Sequence, residues 1–385
     1  MKIAIWGTKK EAVYLYHQIK SNKENHVVCF VDNDKSVCNS LIDNKPVYSI
    51  DNLKKLYPVQ VDTIILALRN GYSIACILKQ LKSNDINKIG LLKPLVYDYN
   101  EEICLEGQNA HIIWLDVLRK PILPYLQVIL IKTCNLNCKG CTHFANLFNK
   151  QIDNDNTYSI QKLKEDLRSI SEKTKIFRLR LLGGEPLLYP ELKEAVVYAR
   201  KYFPDADIRV VTNGLLLMKA SEDLFQCLKH YHIGFDISLY QPTMKIRQEL
   251  ENILQKKSVN YHFEGMENTG GGIKRFEKNI RMEGVNDPER AMSACHGKQC
   301  LTLLHGKLYK CPFEALSYKF YDFYHRDTDF RKDGYDIGKD AINWTDFLDK
   351  VYMQPVEACK YCSEKIEYFD WSTTYYPEYT DWTVQ

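Results

Sequence analysis

The sequence predicts an α/β protein in three parts: a small βαβ domain, a curved partial barrel of parallel strands, and a small cysteine-rich domain. Three observations carry that. Short apolar runs alternate with amphipathic stretches along most of the chain, the pattern of β-α units in a parallel sheet. The 385 residues exceed what one core ordinarily organises. Eight of the thirteen cysteines fall into two groups, at 134–141 and 295–362, while Cys29, Cys38, Cys76, Cys104 and Cys227 are scattered.

At the N-terminus, residues 2–7 (Lys-Ile-Ala-Ile-Trp-Gly) read as a buried strand, Glu11 to Ser21 as a helix, and 26–32 as a second strand ending on Asp32. Val61–Leu68 and Lys88–Leu92 add strands around the helical pattern of Ser73–Lys82, so residues 1–95 resemble a Rossmann-like domain. Its nucleotide fingerprint is incomplete. After Gly7 the loop runs Thr8-Lys9-Lys10-Glu11-Ala12, without the glycines that let backbone approach a pyrophosphate. Asp32 stands where a ribose-binding acid would, yet Asp-Asn-Asp is also an ordinary turn. Dinucleotide binding and a scaffold or substrate-recognition role both stay open. In fold the domain is similar to those appended to sugar-modifying methyltransferases and acyltransferases. Residues 96–122 lack periodicity and approach Pro121 and Pro124, which marks a linker.

The barrel follows over 123–290. Strands are expected at Leu126–Thr133, Phe177–Leu182, Asp207–Thr212, Gly234–Leu239 and Asn260–Glu264, with helices at Ser159–Glu172, Glu191–Tyr202, Glu222–Tyr231 and Lys245–Lys256. Five or six such units make a partial barrel, with functional loops at the C-terminal strand ends. Residues 264–273, Glu-Gly-Met-Glu-Asn-Thr-Gly-Gly-Gly-Ile, read as a lid or a solvated loop. Beyond it, Leu301–Leu304 and Leu308–Pro312 surround Gly306 as a hairpin in a small domain over 291–371. A tail over 372–385 closes the chain, within an aromatic, acidic run from Tyr368 to Trp382 suited to stacking on sugar rings or packing at the barrel mouth.

Composition excludes several classes. The 52 basic and 49 acidic side chains are interspersed and give a formal charge of +3, no footprint for nucleic acid or an anionic membrane. No apolar run approaches the roughly 20 residues of a membrane helix, and Met-Lys-Ile-Ala-Ile-Trp-Gly lacks a signal-peptide core. A cytoplasmic protein is expected. In a reducing compartment grouped cysteines read as metal ligands and scattered ones as small apolar residues.

The run Ile131-Lys-Thr-Cys-Asn-Leu-Asn-Cys-Lys-Gly-Cys-Thr-His-Phe144 holds Cys134, Cys138 and Cys141 as C-x3-C-x2-C after a strand. Three thiolates on one short loop can hold a soft metal centre, and a cubane iron–sulfur cluster so held keeps one iron without a protein ligand. A zinc site needs a fourth nearby ligand, and only His143 offers one. Gly183-Gly184-Glu185-Pro186 and Thr212-Asn213-Gly214 end the next two strands. Together these motifs resemble the radical S-adenosylmethionine (radical SAM) family over residues 126–362. The resemblance implies a radical SAM partial (β/α)6 barrel whose [4Fe–4S] cluster sits on Cys134, Cys138 and Cys141 with S-adenosylmethionine on the open iron. It implies that Glu185 accepts the methionine ammonium, that Gly183 and Gly184 permit close approach, and that Thr212, Asn213, Ser238 and Tyr240 contact ribose or carboxylate. Gly140 stands where many members carry an aromatic residue, so Phe144 or His143 is expected to cover the adenine. A flavodoxin- or ferredoxin-type reductant is implied as partner.

Cys295, Cys300, Cys311, Cys359 and Cys362 resemble the ligand set of a twitch domain, the shortened relative of SPASM, which carries one auxiliary [4Fe–4S] cluster. Five candidates compete for four places between Cys295 and Cys300, with structural zinc as the alternative. The implied activity is radical abstraction of a hydrogen atom from a small carbohydrate-like substrate, ending in dehydrogenation, epimerisation or dehydration. Modification of a ribosomally made peptide and a non-catalytic metal-binding scaffold are the alternatives. His262, Glu264 and Tyr240, with an unused Cys295 or Cys300 thiol, are the unranked candidates for finishing the reaction.

Overall fold

The computed structural model describes residues 1–20, 24–68, 70–92, 112–116, 120–265, 271–338 and 343–384. Cys104 and residues 266–270 of the expected lid over 264–273 lie outside the described residues. The chain divides into two compact units, Met1–Pro124 and Tyr125–Gln385.

The first unit is a seven-stranded sheet. Its strands are β1 (Lys2–Trp6), β2 (His26–Val31), β3 (Leu41–Ile42), β4 (Lys45–Tyr48), β5 (Thr63–Leu66), β6 (Lys88–Leu92) and β7 (Ile112–Asp116), in the order β3-β4-β2-β1-β5-β6-β7. The pairs β1–β2, β1–β5, β2–β4 and β5–β6 are parallel, as expected for a doubly wound domain, and β7 closes one edge antiparallel to β6. Residues 112–116 therefore form a strand where a linker was expected; the rest of that stretch up to residue 119 lies outside the described residues. The β3–β4 hairpin also escapes the sequence reading. It turns on Asp43 and Asn44, with φ of 47° and 62°, the left-handed pair that short polar side chains tolerate in a two-residue hairpin. Asp32 accepts a hydrogen bond from Thr8 Oγ1 at 2.7 Å.

In the second unit, β8 (Ile122–Ile131), β9 (Lys175–Gly183), β10 (Asp207–Thr212), β11 (Gly234–Ser238) and β12 (Tyr261–Glu264) lie side by side in chain order. The pairs from β9 to β12 are parallel. Helices Ile160–Lys173, Leu192–Tyr202, Glu222–His230 and Arg247–Lys257 form the crossovers. Each buries an i, i+3/i+4 stripe, such as Leu163, Leu167 and Ile170 in the first. After β13 (Arg275–Ile280), the hairpin of β14 (Thr302–Leu304) and β15 (Lys307–Tyr309) turns on His305 and Gly306 as the sequence suggests. The hairpin then joins the barrel sheet. β14 pairs parallel with β8, β15 pairs with β16 (Tyr335–Asp336), and the whole sheet reads β12-β11-β10-β9-β8-β14-β15-β16. β17 (Cys362–Asp370) pairs antiparallel with β13 as a separate ribbon.

Alternation along the barrel strands separates two faces. Phe177, Leu179, Leu181, Ile208, Val210, Phe235 and Ile237 are buried on the apolar one. On the other, Arg180 Nη2 meets Asp207 Oδ2 at 3.0 Å and its Nε meets Asp236 Oδ2 at 2.8 Å, while Arg209 Nη1 meets Asp236 Oδ1 at 3.0 Å. Burial pushes the Asp207 carboxyl up, but the Arg180 and Arg209 guanidiniums outweigh it and hold the pKa at about 2.

Candidate functional site

The cysteine loop begins where β8 ends. Gly184 N donates to Ile131 O at 2.7 Å and Glu185 N to Thr133 O at 3.0 Å, so the Gly-Gly-Glu-Pro turn is laced to the loop by main-chain bonds. That contact demands glycine. A Cβ on Gly183 would stand 2.1 Å from Ile131 O, and one on Gly184 2.0 Å from Thr133 O.

Helix Ala145–Lys150 supplies Asn149, which the sequence reading missed. Its Oδ1 accepts from Cys134 N at 3.0 Å, and its Nδ2 donates to Cys134 O at 2.7 Å and Asn137 Oδ1 at 2.9 Å. One side-chain amide thus ties both arms of the loop. An asparagine in a six-residue helix carries no signal of that role.

Cys134, Cys138 and Cys141 pack in one apolar group with Leu136, Leu215, Tyr240, Phe276 and Trp371. Burial pushes all three thiols up, Cys138 to about 12. Neighbouring thiolates push Cys134 and Cys138 further. As a bare set they resist ionisation, and a bound cationic iron centre is the kind of group that reverses this. Their softness and shared loop fit a cluster. Among the described residues no three Cys, His, Asp or Glu side chains form a group fit for a lone metal ion; a four-iron body is larger and takes its thiolates further apart.

Glu185 lies fully buried beside them. Its Oε1 accepts from Thr212 Oγ1 at 2.6 Å and Leu187 N at 3.1 Å, and its Oε2 accepts from Asn213 N at 2.9 Å. Burial outweighs these bonds and raises its pKa to about 7. Asn213 Nδ2 donates to Asn135 Oδ1 at 2.6 Å and lies 3.7 Å from Cys134 Sγ, while Thr243 Oγ1 holds the Asn213 carbonyl at 2.6 Å. Thr212 and Asn213 therefore fix the acid and the loop together. Tyr240 N donates to Ser238 O at 2.9 Å, and the Tyr240 ring stacks on Trp371 with centroids 5.4 Å apart.

Phe144 does not stand where the adenine reading put it. It is fully buried, with its ring among Phe313, Phe320 and Trp382, so its faces belong to the core. His143 is half-buried, and burial lowers its pKa to about 4. His262 lies opposite Asp236 in the β11–β12 register, its Nδ1 3.6 Å from Asp236 Oδ1 within the charged face. Glu264 is exposed at the end of β12.

In the C-terminal region Cys295, Cys311, Cys359 and Cys362 line one pocket with Lys298 and Lys310. Cys300 does not. Its carbonyl accepts from Gln127 Nε2 at 3.1 Å and Thr302 Oγ1 at 2.8 Å. Burial pushes its thiol up to about 12, with Cys295 and Glu264 adding to the shift. The pocket's donors, four soft thiols with two cations beside them, fit an anionic thiolate-bound centre.

The profile of the radical SAM superfamily matches residues 128–269, and a profile described as C2185-like, N-terminal matches residues 1–90. GTP 3′,8-cyclase of Helicobacter pylori is 28% identical over 171 residues, 44% of this chain and 50% of that protein. The Clostridium botulinum protein of the same name is 29% identical over 170 residues, 43% of this chain and 50% of its own. The chain thus spans about half the length of the curated relatives it matches. Among solved structures, BtrN in complex with AdoMet and 2-DOIA is 19% identical, with a TM-score of 0.32, over 55% of this chain and 87% of that one. Streptococcus suis SuiB bound to S-adenosylmethionine is 10% identical, with a TM-score of 0.31, over 74% and 77%. The profile match begins inside β8, ends just past β12 and so takes in the cysteine loop and both glycine turns; residues 128–269 thus carry a radical SAM domain.

Proposed function

We propose that this protein is a radical SAM enzyme acting on a small carbohydrate-like molecule, with Cys134, Cys138 and Cys141 holding the primary [4Fe–4S] cluster. Cys295, Cys311, Cys359 and Cys362 would hold an auxiliary one. The observation that carries the reading is the meeting of three thiols with the buried Glu185 at the C-terminal edge of one parallel sheet. When bound, the cluster and S-adenosylmethionine supply a 5′-deoxyadenosyl radical, which takes a hydrogen atom from a C–H bond.

The chain's own residues do the positioning. Gly183 and Gly184 leave backbone open to close approach, and Glu185 offers a carboxylate for an ammonium group. Thr212 and Asn213 fix that carboxylate through its two oxygens. Leu215, Tyr240, Phe276 and Trp371 form an apolar wall that keeps water from the thiols. The charged face of the barrel, with Arg180, Arg209, Asp207, Asp236 and His262, suits a ligand rich in hydroxyl groups better than an apolar one. A nucleotide is the second reading, favoured by the relatives named GTP 3′,8-cyclase. Incubating the anaerobically reconstituted enzyme with a reductant, S-adenosylmethionine and either perdeuterated sugars or deuterated GTP tests both. Deuterium appearing in 5′-deoxyadenosine from a sugar supports the first reading, from GTP the second, and from neither rejects both.

A further inference from the structure

The segment after β17 crosses the cysteine loop and returns to β13. Lys139 N donates to Ser372 O at 2.9 Å and Thr374 N to Asn137 O at 2.8 Å, on either side of an antiparallel bridge between Cys138 and Thr373. At the far end of the loop, Trp382 Nε1 donates to Cys141 O at 2.8 Å and Asp381 Oδ1 meets Lys139 Nζ at 3.1 Å. Both ends of the segment are pinned: Trp371 N bonds Lys274 O at 2.8 Å, and Val384 N bonds Ile280 O at 2.9 Å. Gly140 makes the closure possible. A Cβ there would stand 2.6 Å from the Phe369 ring and 2.7 Å from Asp381 O, and its φ of +65° suits glycine.

Trp371 sits at the centre of this contact, 6% exposed, packed with Cys138 and Leu136. Its Nε1 is buried without a hydrogen-bond partner among the protein atoms. A buried donor is costly to leave unpaired. The Cys138 sulfur lies in the same buried group and is the acceptor this donor would take with a cluster bound there.

We propose that residues 371–384 form a strap over the primary cysteine loop, and that Trp371 is a positioning residue whose indole N–H donates to the Cys138 thiolate and raises the reduction potential of the cluster held there. The inference rests on the reading of Cys134, Cys138 and Cys141 as cluster ligands. A hydrogen bond to a ligating sulfur draws off negative charge, favouring the reduced and more negative cluster.

The test is a redox titration of the reconstituted holoenzyme, followed by electron paramagnetic resonance on the signal that changes when S-adenosylmethionine is added. Trp371→Phe keeps an aromatic ring against Tyr240 and removes the N–H. It should make the SAM-responsive cluster about tenfold harder to reduce, a shift of about 59 mV to lower potential for one electron. Trp382→Phe loses a bond to a carbonyl and none to sulfur, so its potential should stay near wild type. An unmoved potential in Trp371→Phe, or equal shifts in both variants, overturns the proposal. If Trp371→Phe fails to load, proton resonance of the wild type decides. A strongly coupled exchangeable proton, lost when indole nitrogen protons are replaced by deuterium, supports the bond, and its absence overturns it. A wild-type protein with no SAM-responsive signal overturns the cluster reading itself, so the two failures are distinguishable.

Discussion

Glu185→Gln removes one charge from the centre of the site, and the structure sets the size of the effect. The carboxylate is fully buried, accepts three hydrogen bonds, and has its pKa raised by burial from 4.5 to about 7. A group whose folded pKa lies above its unfolded one contributes stability that is complete below the unfolded value and lost as pH rises through the folded one. For Glu185 the window runs from 4.5 to about 7. At about 1.4 kcal/mol per unit, keeping it ionised at pH 8 costs the native state roughly 3 kcal/mol. Glutamine escapes that cost but turns an NH2 toward the Asn213 N–H, which forfeits about 1–3 kcal/mol. The variant should therefore be near wild type in stability at pH 8 and show a flatter stability profile across the window. Cofactor binding separates the two sharply. Loss of a buried carboxylate partner for the methionine ammonium costs at least about 2 kcal/mol, thirtyfold or more in affinity. Anaerobic calorimetry of S-adenosylmethionine binding between pH 6 and 8.5 reads both effects. Wild-type affinity should weaken about tenfold per unit below pH 7, because a free ionised Glu185 grows scarcer there, while the variant should be weak and level. A variant within threefold of wild type at pH 8, or with the same slope, refutes the role assigned to Glu185.

Further expectations follow from other parts of the chain. Cys295→Ala should lose about half of the iron in the reconstituted protein and Cys300→Ala none, because only Cys295 shares the pocket with Cys311, Cys359 and Cys362; metal analysis of the two variants decides it. Asp207→Asn leaves Arg180 and Arg209 short of a buried carboxylate and should cost about 3–5 kcal/mol in a denaturant titration. In the wild type the same carboxyl, held at about 2, contributes stability present above the ordinary value of 3.8 and lost as pH falls toward 2. The loss is about 2 kcal/mol, visible as a steepened acid limb that Asp207→Asn lacks. Gly184→Ala would drive its Cβ into Thr133 O and should lower the melting temperature sharply or prevent soluble expression, whereas tolerance of alanine would show that the turn can move away from the loop.

The repeating β-α units were legible because apolar runs and amphipathic stripes are local signals. β10 falls at Asp207–Thr212 as its residues suggest, and helix Glu222–His230 begins behind Ser221, whose hydroxyl caps Leu224 N. The cysteine loop and the Gly-Gly-Glu-Pro turn were legible for the same reason, since each motif is contiguous. What escaped depends on partners far along the chain. Nothing near Thr302 says that its strand will pair with Gln127, and nothing near Arg275 announces Asp370 as its partner. Phe144 follows a cysteine and so suggests the cofactor, but its left-handed backbone turns the ring into the core beneath Trp382. Cys295 lines the pocket with Cys311, Cys359 and Cys362 and Cys300 does not, a placement on either side of the short turn His296–Gln299 that spacing alone does not encode.

Whether the three thiols of the first loop hold a cluster that cleaves S-adenosylmethionine is decided by anaerobic reconstitution with iron counted per chain, followed by mass-spectrometric detection of 5′-deoxyadenosine after reductant and S-adenosylmethionine are added. About eight irons per chain are expected, with 5′-deoxyadenosine formed by the wild type and lost in Cys134→Ala. Zinc in place of iron, with no cleavage product from the wild type, would contradict the cluster reading.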